Sequence, residues 1–152
     1  MHEKKLIDLY PYRLTQNTPE FLLLKRSKGH VYHGQWRMVG GKVKADETYW
    51  QAALRELKEE TSFIPVKFWT IPGVNHFYEH KTDMIHSIPA FAAELSSDQI
   101  PILDDEHTDF GWFELDEALN KIIWPEQKRL LALINQLLTS DQILEDWIVS
   151  ID

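Results

Sequence analysis

The sequence predicts one α/β domain spanning residues 1–152, because apolar runs of strand length alternate with amphipathic segments of helix length. Three observations support this prediction. Residues 49–60 carry apolar side chains at helical spacing, strand-like runs lie on both sides of them, and a second helical pattern follows at residues 126–138. Hydrophobic residues make up 43% of the 152 residues, which is enough for a sizeable core.

The first elements predict a β-hairpin. Residues 4–15 have the composition of a strand, in which Pro11 is expected at a bend or an edge position. A polar turn follows at residues 16–20. The apolar run from Phe21 to Lys25 is long enough only for a second strand, which Arg26 ends.

The segment after Asp46 predicts a capped helix. Thr48 and Gln51 have the spacing of a capping box, so the helix is expected to run from Tyr49 to Glu60. Its apolar residues form one stripe that should face the core. At about 100° per residue, three glutamates fall together outside that stripe. The stripe contains Trp50, Ala53, Leu54 and Leu57, and the acidic face contains Glu56, Glu59 and Glu60.

The acidic face of this helix indicates a cation site. Like charges four residues apart repel, so clustered carboxylates are unfavourable unless a cation lies among them. Carboxylate oxygens are ligands that suit Mg²⁺ or Mn²⁺. Arg55 comes one turn before Glu59 and can pair with it. Ahead of the helix, Gly40-Gly41 predicts a turn where the backbone can approach a ligand closely.

Further strands are expected after the helix, at residues 66–71 and 84–95. Pro72-Gly73 predicts a turn or bulge before an extended segment at residues 74–80. That segment contains His76-Phe77-Tyr78-Glu79-His80, which matches a zinc-protease motif. The motif needs a helix to bring both histidines to one metal, and this run is strand-like. A role in a substrate pocket or at the surface is therefore favoured.

An acidic loop comes before the last strand, which is expected at residues 110–113. Asp104-Asp105-Glu106-His107 is either a solvated loop or a part of the functional site. Asp116 is expected to cap a short helix that ends at Ile122.

The C-terminal region predicts a longer helix at residues 126–138, preceded by Trp124-Pro125. Ser140 or Asp141 would cap a last short helix with apolar residues on one side. This tail either packs on the domain or forms the contact of a homodimer.

Composition excludes several classes of function. The chain has no cysteine, which rules out disulfides, thiol nucleophiles and zinc–thiolate sites. The net charge of −8 argues against binding of long nucleic acid, but a small nucleotide partner remains compatible because metal ions can offset the repulsion. No apolar run is long enough to span a membrane, and the first ten residues lack the core of a signal peptide. A cytoplasmic location is expected.

Six polar residues between Gly41 and Phe63 keep the spacing G-x5-E-x7-R-E-U-x-E-E-x-G-U, where U is bulky and apolar. Six fixed positions would match by chance roughly once in 10⁷ starts. The segment resembles the Nudix box of the Nudix hydrolases. The one departure is Ser62 in place of glycine, which weakens a helix cap and removes no metal ligand. The six residues are Gly41, Glu47, Arg55, Glu56, Glu59 and Glu60, and Leu57 and Phe63 fill the apolar places.

This resemblance implies the Nudix fold, a mixed β-sheet sandwiched between α-helices (an α/β/α sandwich). It also implies a hydrolase that uses Mg²⁺ or Mn²⁺ to cleave a phosphoric anhydride. Glu106 lies six residues before Trp112, an arrangement similar to that of Nudix enzymes acting on nucleoside triphosphates, which place a further metal-binding or base glutamate there. Glu106 is a stronger candidate for that role than His107 or Asp109. The expected metal ligands are Glu56 and Glu60, then Glu59, Glu106 and the carbonyl of Gly40.

Other roles follow from the same resemblance. Glu59 or Glu106 would take the proton of the attacking water, Arg55 would steady the carboxylates, and Glu47 would orient the helix or assist a ligand. Arg26 would face substrate phosphate or form a solvated strand end, and Gly40-Gly41 would approach the substrate. Trp36 would stack on a base or pack in the core, and the core is favoured.

The branch that the chain resembles most is that of nucleoside triphosphate pyrophosphohydrolases, including those acting on dATP or dihydroneopterin triphosphate. Their products are a monophosphate and pyrophosphate. Dinucleoside polyphosphates, ADP-ribose and nucleotide sugars are the alternative substrates. A non-catalytic nucleotide-sensing domain is the alternative of another class, although such domains usually lose box carboxylates and this chain keeps every one.

Overall fold

The computed structural model describes residues 5–30 and 32–151, and strands precede and follow its first helix. None of the described helices has the length and apolar character needed to cross a membrane. Lys4, the predicted first residue of the first strand, lies outside the described residues. The elements are β1 (Leu6–Thr15), β2 (Thr18–Arg26), β3 (Trp36–Arg37), β4 (Val39–Lys42), α1 (Tyr49–Thr61), β5 (Lys67–Glu79), β6 (Met84–Glu94), β7 (His107–Phe113), α2 (Leu115–Lys121) and α3 (Pro125–Thr139).

Strand β1 lies at the centre of a mixed sheet. It runs parallel to β6 from Asp8 to Tyr12, and its other edge is shared by two antiparallel partners. Strand β4 pairs with the first half of β1 and β2 with the second half. Pro11, expected at a bend or an edge, lies inside β1 where the partner changes from β4 to β2. Its missing N–H therefore costs no antiparallel hydrogen bond.

Helices cover both faces of the sheet, which confirms the α/β/α arrangement. On one face, Leu9 of β1 and its neighbours pack against the buried side of α1, including Ala53 and Leu57. On the other face, Tyr10 and Tyr12 pack with residues of α2 and α3. Alternate residues of β1 therefore enter opposite cores, as the two-residue period of a strand requires.

The capped helix is confirmed in detail. The Thr48 side chain accepts from the backbone N–H of Gln51 at 3.2 Å, and the Gln51 side chain accepts from the N–H of Thr48 at 2.9 Å. The helix ends at Thr61, one residue later than predicted. Ser62 has φ 68°, the left-handed conformation that glycine adopts without cost, so the substitution in the box strains this cap by about 1–2 kcal/mol.

The two strand-like segments after the helix form one strand, β5. Its pairing with β6 shifts register between Thr70 and Val74, which places the predicted bulge at Pro72-Gly73. The segment from His76 to Glu79 is β-strand paired with β6, and the strand ends there. Four residues of strand span about 13 Å. His76 and His80 are therefore further apart than in the helical zinc-protease motif, in which one turn of helix brings both histidines to the same metal ion.

Two predictions about the C-terminal region are wrong. The N-cap of α2 is Glu114 and not Asp116, which lies within the first turn. The last short helix is replaced by a single 3₁₀ turn at Glu145–Trp147, because the chain beyond it extends along the sheet. Ile148 forms a β-bridge with Trp69, and the N–H of Val149 donates to the carbonyl of Phe68 at 2.8 Å. The tail therefore packs on its own chain.

Candidate active site

The three glutamates of α1 occupy different environments. Glu60 is 4% exposed and lies toward the core, whereas half of the Glu59 side chain, 52%, is exposed. Glu56 lies between these extremes. The prediction that all three avoid the buried face is wrong for Glu60, because His107, the first residue of β7, packs beside it.

Arg55 holds the acidic residues in place. Its guanidinium donates twice to Glu47, from Nε at 2.6 Å and from Nη2 at 3.0 Å, and it also donates to the carbonyl of Lys42 at 2.8 Å. Its Nη1 donates to Glu56 at 2.9 Å and to Glu59 at 3.2 Å. The pKa of Glu47 is lowered to about 2, first by Arg55 and then by the backbone N–H of Lys44. One arginine thus ties the strand before α1 to three carboxylates of the box.

The two glycines of β4 give the carboxylates room. A β-carbon on Gly41 would overlap the side chain of Glu56, coming within 2.8 Å of its Cγ, so only glycine fits there. Gly40 is exposed, and a β-carbon on it would approach the carbonyl of Ile7 to 3.3 Å. The predicted turn at Gly40-Gly41 is wrong, because both glycines lie in β4, which pairs with β1. Gly41 lies directly against Glu56 of α1.

A second group of acidic residues surrounds Glu60. The buried ring of His107 lies between two carboxylates, with Nε2 3.5 Å from Glu60 and Nδ1 2.7 Å from Asp104. Burial raises the pKa of Glu60 well above its usual value, and the charges of Glu56 and Asp104 raise it further. Burial also raises the pKa of Glu56, against the opposing effect of Arg55. His107 was a weak candidate in the sequence, and its position three residues after Asp104 was the available signal.

Glu106 lies on the same loop and contacts Arg26. The Nη1 of Arg26 is 3.2 Å from Glu106 Oε2, and the N–H of Ser27 donates to the Glu106 carbonyl at 2.8 Å. The register between β2 and β7, which pairs Arg26 with His107, brings these residues together. Two residues that the sequence assigned separately to phosphate and to metal are thus an ion pair in this structure.

Two other predicted residues lie away from this group. Trp36 packs edge-on against Phe113, with ring centroids 5.5 Å apart, and adjoins the core below α2 and α3. The Asp109 carboxylate accepts from the backbone N–H of Phe110 at 2.8 Å, and Asp109 stands opposite Lys25 in the β2–β7 ladder. The core position of Trp36 is the one that the sequence favoured.

The donor chemistry of this site fits a divalent cation. Glu56 and Glu60 are neighbouring carboxylates whose pKa values are raised by burial and proximity, and a cation would relieve that cost. Over residues 5–30 and 32–151, no three His, Asp or Glu side chains are already arranged around one point as a metal centre. Glu59 and Glu106 are each paired with an arginine, Glu59 with Arg55 at 3.2 Å and Glu106 with Arg26 at 3.2 Å.

Known proteins are similar to this chain in sequence. The chain is 32% identical over 128 residues to Nudix hydrolase 6 of Arabidopsis thaliana, covering 80% of this chain but 43% of that protein. It is 34% identical over 130 residues to the asymmetrical bis(5'-nucleosyl)-tetraphosphatase of Caenorhabditis elegans, covering 84% of this chain and 91% of that one. Nucleoside triphosphatase NudI of Enterobacter sp. (strain 638) is 29% identical over 125 residues, covering 77% and 88%.

Solved structures agree. The binary complex of a C. elegans Ap4A hydrolase superposes with a TM-score of 0.75 at 27% identity, covering 91% of this chain and 99% of that chain. A family model described as NUDIX domain matches residues 12–134, which include α1 and all the carboxylates discussed above. The chain therefore belongs to the NUDIX domain family of hydrolases.

Proposed function

We propose that this protein is a divalent-metal-dependent pyrophosphohydrolase that converts a nucleoside triphosphate, or a similar triphosphate, to a monophosphate and pyrophosphate. The observation that carries the proposal is the buried carboxylate of Glu60 beside Glu56, in a site that also holds Glu106 and an arginine. A polyphosphate and an acidic site repel each other, so a cation between them serves both. The NudI relative, a nucleoside triphosphatase, supports the choice of substrate.

The metal site would be built from residues on three elements. Glu56 and Glu60 would supply the first ligands, with Glu59, Glu106 and the backbone carbonyl of Gly40 completing the set. Mg²⁺ is the proposed ion and Mn²⁺ the alternative, because all these donors are oxygens. When bound, the metal would supply a water of lowered pKa and neutralise phosphate charge.

The chain's own residues would do the rest. Arg55 fixes the orientation of Glu56 and Glu59, and Glu47 anchors Arg55. Glu59 and Glu106 are the candidates for the base that takes the proton of the attacking water. Arg26 would bind a phosphate oxygen of the substrate, beside Gly40-Gly41. A cytoplasmic location, a single domain over residues 1–152 and a homodimer stay predictions.

Dinucleoside polyphosphates are the second candidate substrates. The observation that favours them is the 34% identity to the C. elegans tetraphosphatase, which covers 91% of that protein. The same carboxylates would act on either substrate, because both contain the same anhydride bond. The two candidates differ in their products, since cleavage of a dinucleoside polyphosphate releases two mononucleotides and no free pyrophosphate.

A turnover screen tests both candidates. Wild type and Glu60→Gln would be assayed with Mg²⁺ on dNTPs, NTPs, dihydroneopterin triphosphate, diadenosine polyphosphates, ADP-ribose and nucleotide sugars, with phosphate and pyrophosphate measured separately. We expect pyrophosphate release from a triphosphate by the wild type alone. Turnover of a dinucleoside polyphosphate without release of pyrophosphate would make dinucleoside polyphosphates the substrate in place of triphosphates. Tight binding without any turnover would overturn the proposal in favour of a sensor domain.

A further inference from the structure

Three ionisable side chains form a row that runs from near the surface into the candidate site. Nδ1 of His107 is 2.7 Å from Asp104 Oδ1, and Nε2 of the same ring is 3.5 Å from Glu60 Oε1. The Asp104 side chain is 22% exposed, whereas those of His107 and Glu60 are 2% and 5% exposed. The ring therefore fills the gap between a carboxylate near solvent and a buried carboxylate that we assign to the metal. We call these residues the Asp104–His107–Glu60 row.

The backbone that carries the His107 ring is attached to the neighbouring strand. His107 is the first residue of β7, which pairs with β2. Just after β2, Ser27 donates twice to the turn before β7, from its N–H to the Glu106 carbonyl at 2.8 Å and from its hydroxyl to the Asp105 carbonyl at 2.9 Å. The ring therefore projects from a fixed position of the main chain.

Asp104 sets the orientation of the ring. A carboxylate accepts hydrogen bonds, so Nδ1 of His107 donates to Asp104 Oδ1 at 2.7 Å. The two nitrogens lie on different sides of an imidazole, and this bond leaves Nε2 directed at Glu60. Partners of this kind fix the orientation and the tautomer of functional histidines.

Stability does not explain the Asp104–His107–Glu60 row. Burying ionisable groups is unfavourable, and apolar residues of similar volume are often neutral or stabilising in their place. A second histidine–carboxylate pair shows the contrast, because His86 lies 3.2 Å from Glu79 on the β5–β6 hairpin and the Glu79 side chain is 43% exposed. The burial of His107 and Glu60 together indicates a constraint that comes from the role of Glu60.

The carboxylate of Glu60 requires a contact that holds it beside Glu56. The two carboxyl groups are close enough to share a hydrogen bond, and once both are ionised they repel each other. Arg55 holds Glu56 at 2.9 Å. His107 is the corresponding contact on Glu60, so each of the two proposed ligands lies against a nitrogen of another side chain.

We propose that His107, oriented by Asp104, is a positioning residue that holds the carboxylate of Glu60 in the direction from which it binds the metal ion. This inference rests on the proposed function, in which Glu60 is a metal ligand. It goes beyond that function by assigning a role to two residues behind the ligand. It also predicts that a change at Asp104, which is separated from Glu60 by the ring, alters metal binding.

Binding of Mn²⁺ to the substrate-free protein tests this inference without turnover. Electron paramagnetic resonance of free Mn²⁺ would give the dissociation constants of the wild type, His107→Asn, His107→Gln and the control His86→Asn. The glutamine amide can place its nitrogen where Nε2 lies, beside Glu60, whereas the shorter asparagine reaches only the place of Nδ1. We expect His107→Asn to bind Mn²⁺ about 10–100-fold more weakly than the wild type. His107→Gln and the control should bind it nearly as tightly as the wild type.

A double-mutant cycle separates positioning from charge. Asp104→Ala should also weaken Mn²⁺ binding, and adding it to His107→Asn should cause no further loss, because Asp104 acts through the ring. A purely electrostatic role predicts a different result. The negative charge of Asp104 would then attract the cation with or without the ring, and the two losses would add.

Several results would overturn the inference and leave the proposed function intact. They are wild-type affinity for Mn²⁺ in folded His107→Asn, equal losses in His107→Asn and His107→Gln, and additive losses in the double-mutant cycle. If His107→Asn does not fold, Asp104→Ala and Asp104→Asn decide. Asparagine removes the charge and keeps an oxygen that accepts from the ring, so a loss in Asp104→Ala alone supports positioning and equal losses overturn it.

The turnover screen reports on the proposed function separately. A wild type that hydrolyses a triphosphate but binds no Mn²⁺ in the absence of substrate would overturn the inference alone. Weakened Mn²⁺ binding in His107→Asn, together with no hydrolysis of any substrate by the wild type, would overturn the proposed function alone. A wild type that neither binds Mn²⁺ nor hydrolyses a substrate would overturn both.

Discussion

Arg55 donates two hydrogen bonds, of 2.6 and 3.0 Å, to the carboxylate of Glu47. Glu47 precedes α1 and Arg55 lies eight residues later, in the second turn of that helix. The same guanidinium reaches Glu56 and Glu59. A planar fork can satisfy these partners together, whereas an ammonium group acts as a single point charge. The two-pronged contact therefore sets the direction of the carboxylates that we assign to the metal.

The first prediction concerns this fork. Arg55→Lys should lower kcat by about 10–100-fold, because residues that orient metal ligands typically contribute that much. Steady-state kinetics with saturating Mg²⁺ measures the effect. Arg13→Lys is the matched control, since Arg13 pairs with Glu20 at 2.7 Å outside the site. Equal kinetics for the two variants would remove Arg55 from the site.

The second prediction concerns the glycine next to Glu56. Gly41→Ala should reduce activity at least about 100-fold and lower the unfolding free energy by about 1–3 kcal/mol, because its β-carbon would displace the Glu56 carboxylate. Activity and urea denaturation report the two effects. In the control Gly73→Ala, the β-carbon would meet a buried Leu130 methyl at 3.2 Å and no carboxylate, so activity should change little even where stability falls. Full activity of Gly41→Ala would show that Glu56 acts from another position.

The third prediction uses the pH dependence of stability. Because the pKa of Glu60 is raised in the folded state, the metal-free protein binds a proton there that the unfolded chain has released above pH 4.5. Its unfolding free energy should therefore fall as pH rises from about 4.5 through the raised pKa. Glu60→Gln should remove this fall, stabilise the metal-free protein at pH 8 by about 1–3 kcal/mol, and abolish activity.

Urea denaturation in EDTA at pH 5 and pH 8 measures the effect of Glu60, with exposed Glu117→Gln as the control. Adding Mg²⁺ should stabilise the wild type and the control more than Glu60→Gln, since a ligand stabilises the state that binds it. If the unfolding free energies of wild type and Glu60→Gln changed identically with pH, the pKa of Glu60 would not be raised in the folded state.

The fourth prediction separates the two candidate bases. Glu106→Gln should lower kcat by about 10²-fold or more. The ion pair between Arg26 and Glu106 is partly exposed, so the loss of stability should stay below about 1 kcal/mol. Kinetics and thermal unfolding would be compared with Glu59→Gln and with the control Glu20→Gln. If Glu106→Gln behaves like the control, Glu59 remains as the base.

Local signals in the sequence predicted the helix that carries the candidate site, and long-range pairing decided the surroundings of that helix. The spacing of the box and the capping residues Thr48 and Gln51 fixed α1 almost to the residue. The burial of Glu60 could not be predicted, because His107 reaches it only through the register of β2 with β7. The burial of Asp8 could not be predicted from the sequence either. Its hydrogen-bond partners, Asn75 and Gln127, lie 67 and 119 residues away along the chain.

The C-terminal region shows the same division. The helical spacing from Leu130 to Leu138 predicted α3 correctly, because a helix is specified by its own residues. The prediction of a last short helix was wrong because the segment around Ile148 pairs with β5. That pairing depends on a sheet edge formed by residues far earlier in the chain.

The bridge between Ile148 and Trp69, with the bond from Val149 to Phe68, covers the outer edge of β5 where that strand begins. An uncovered edge of a sheet is a template on which another chain can add a strand. These few residues therefore occupy a part of the β5 edge with which another chain would otherwise pair. Removal of the tail would expose the backbone of β5 at Phe68 and Trp69 to pairing with another chain, and would leave the carboxylates of α1 in place.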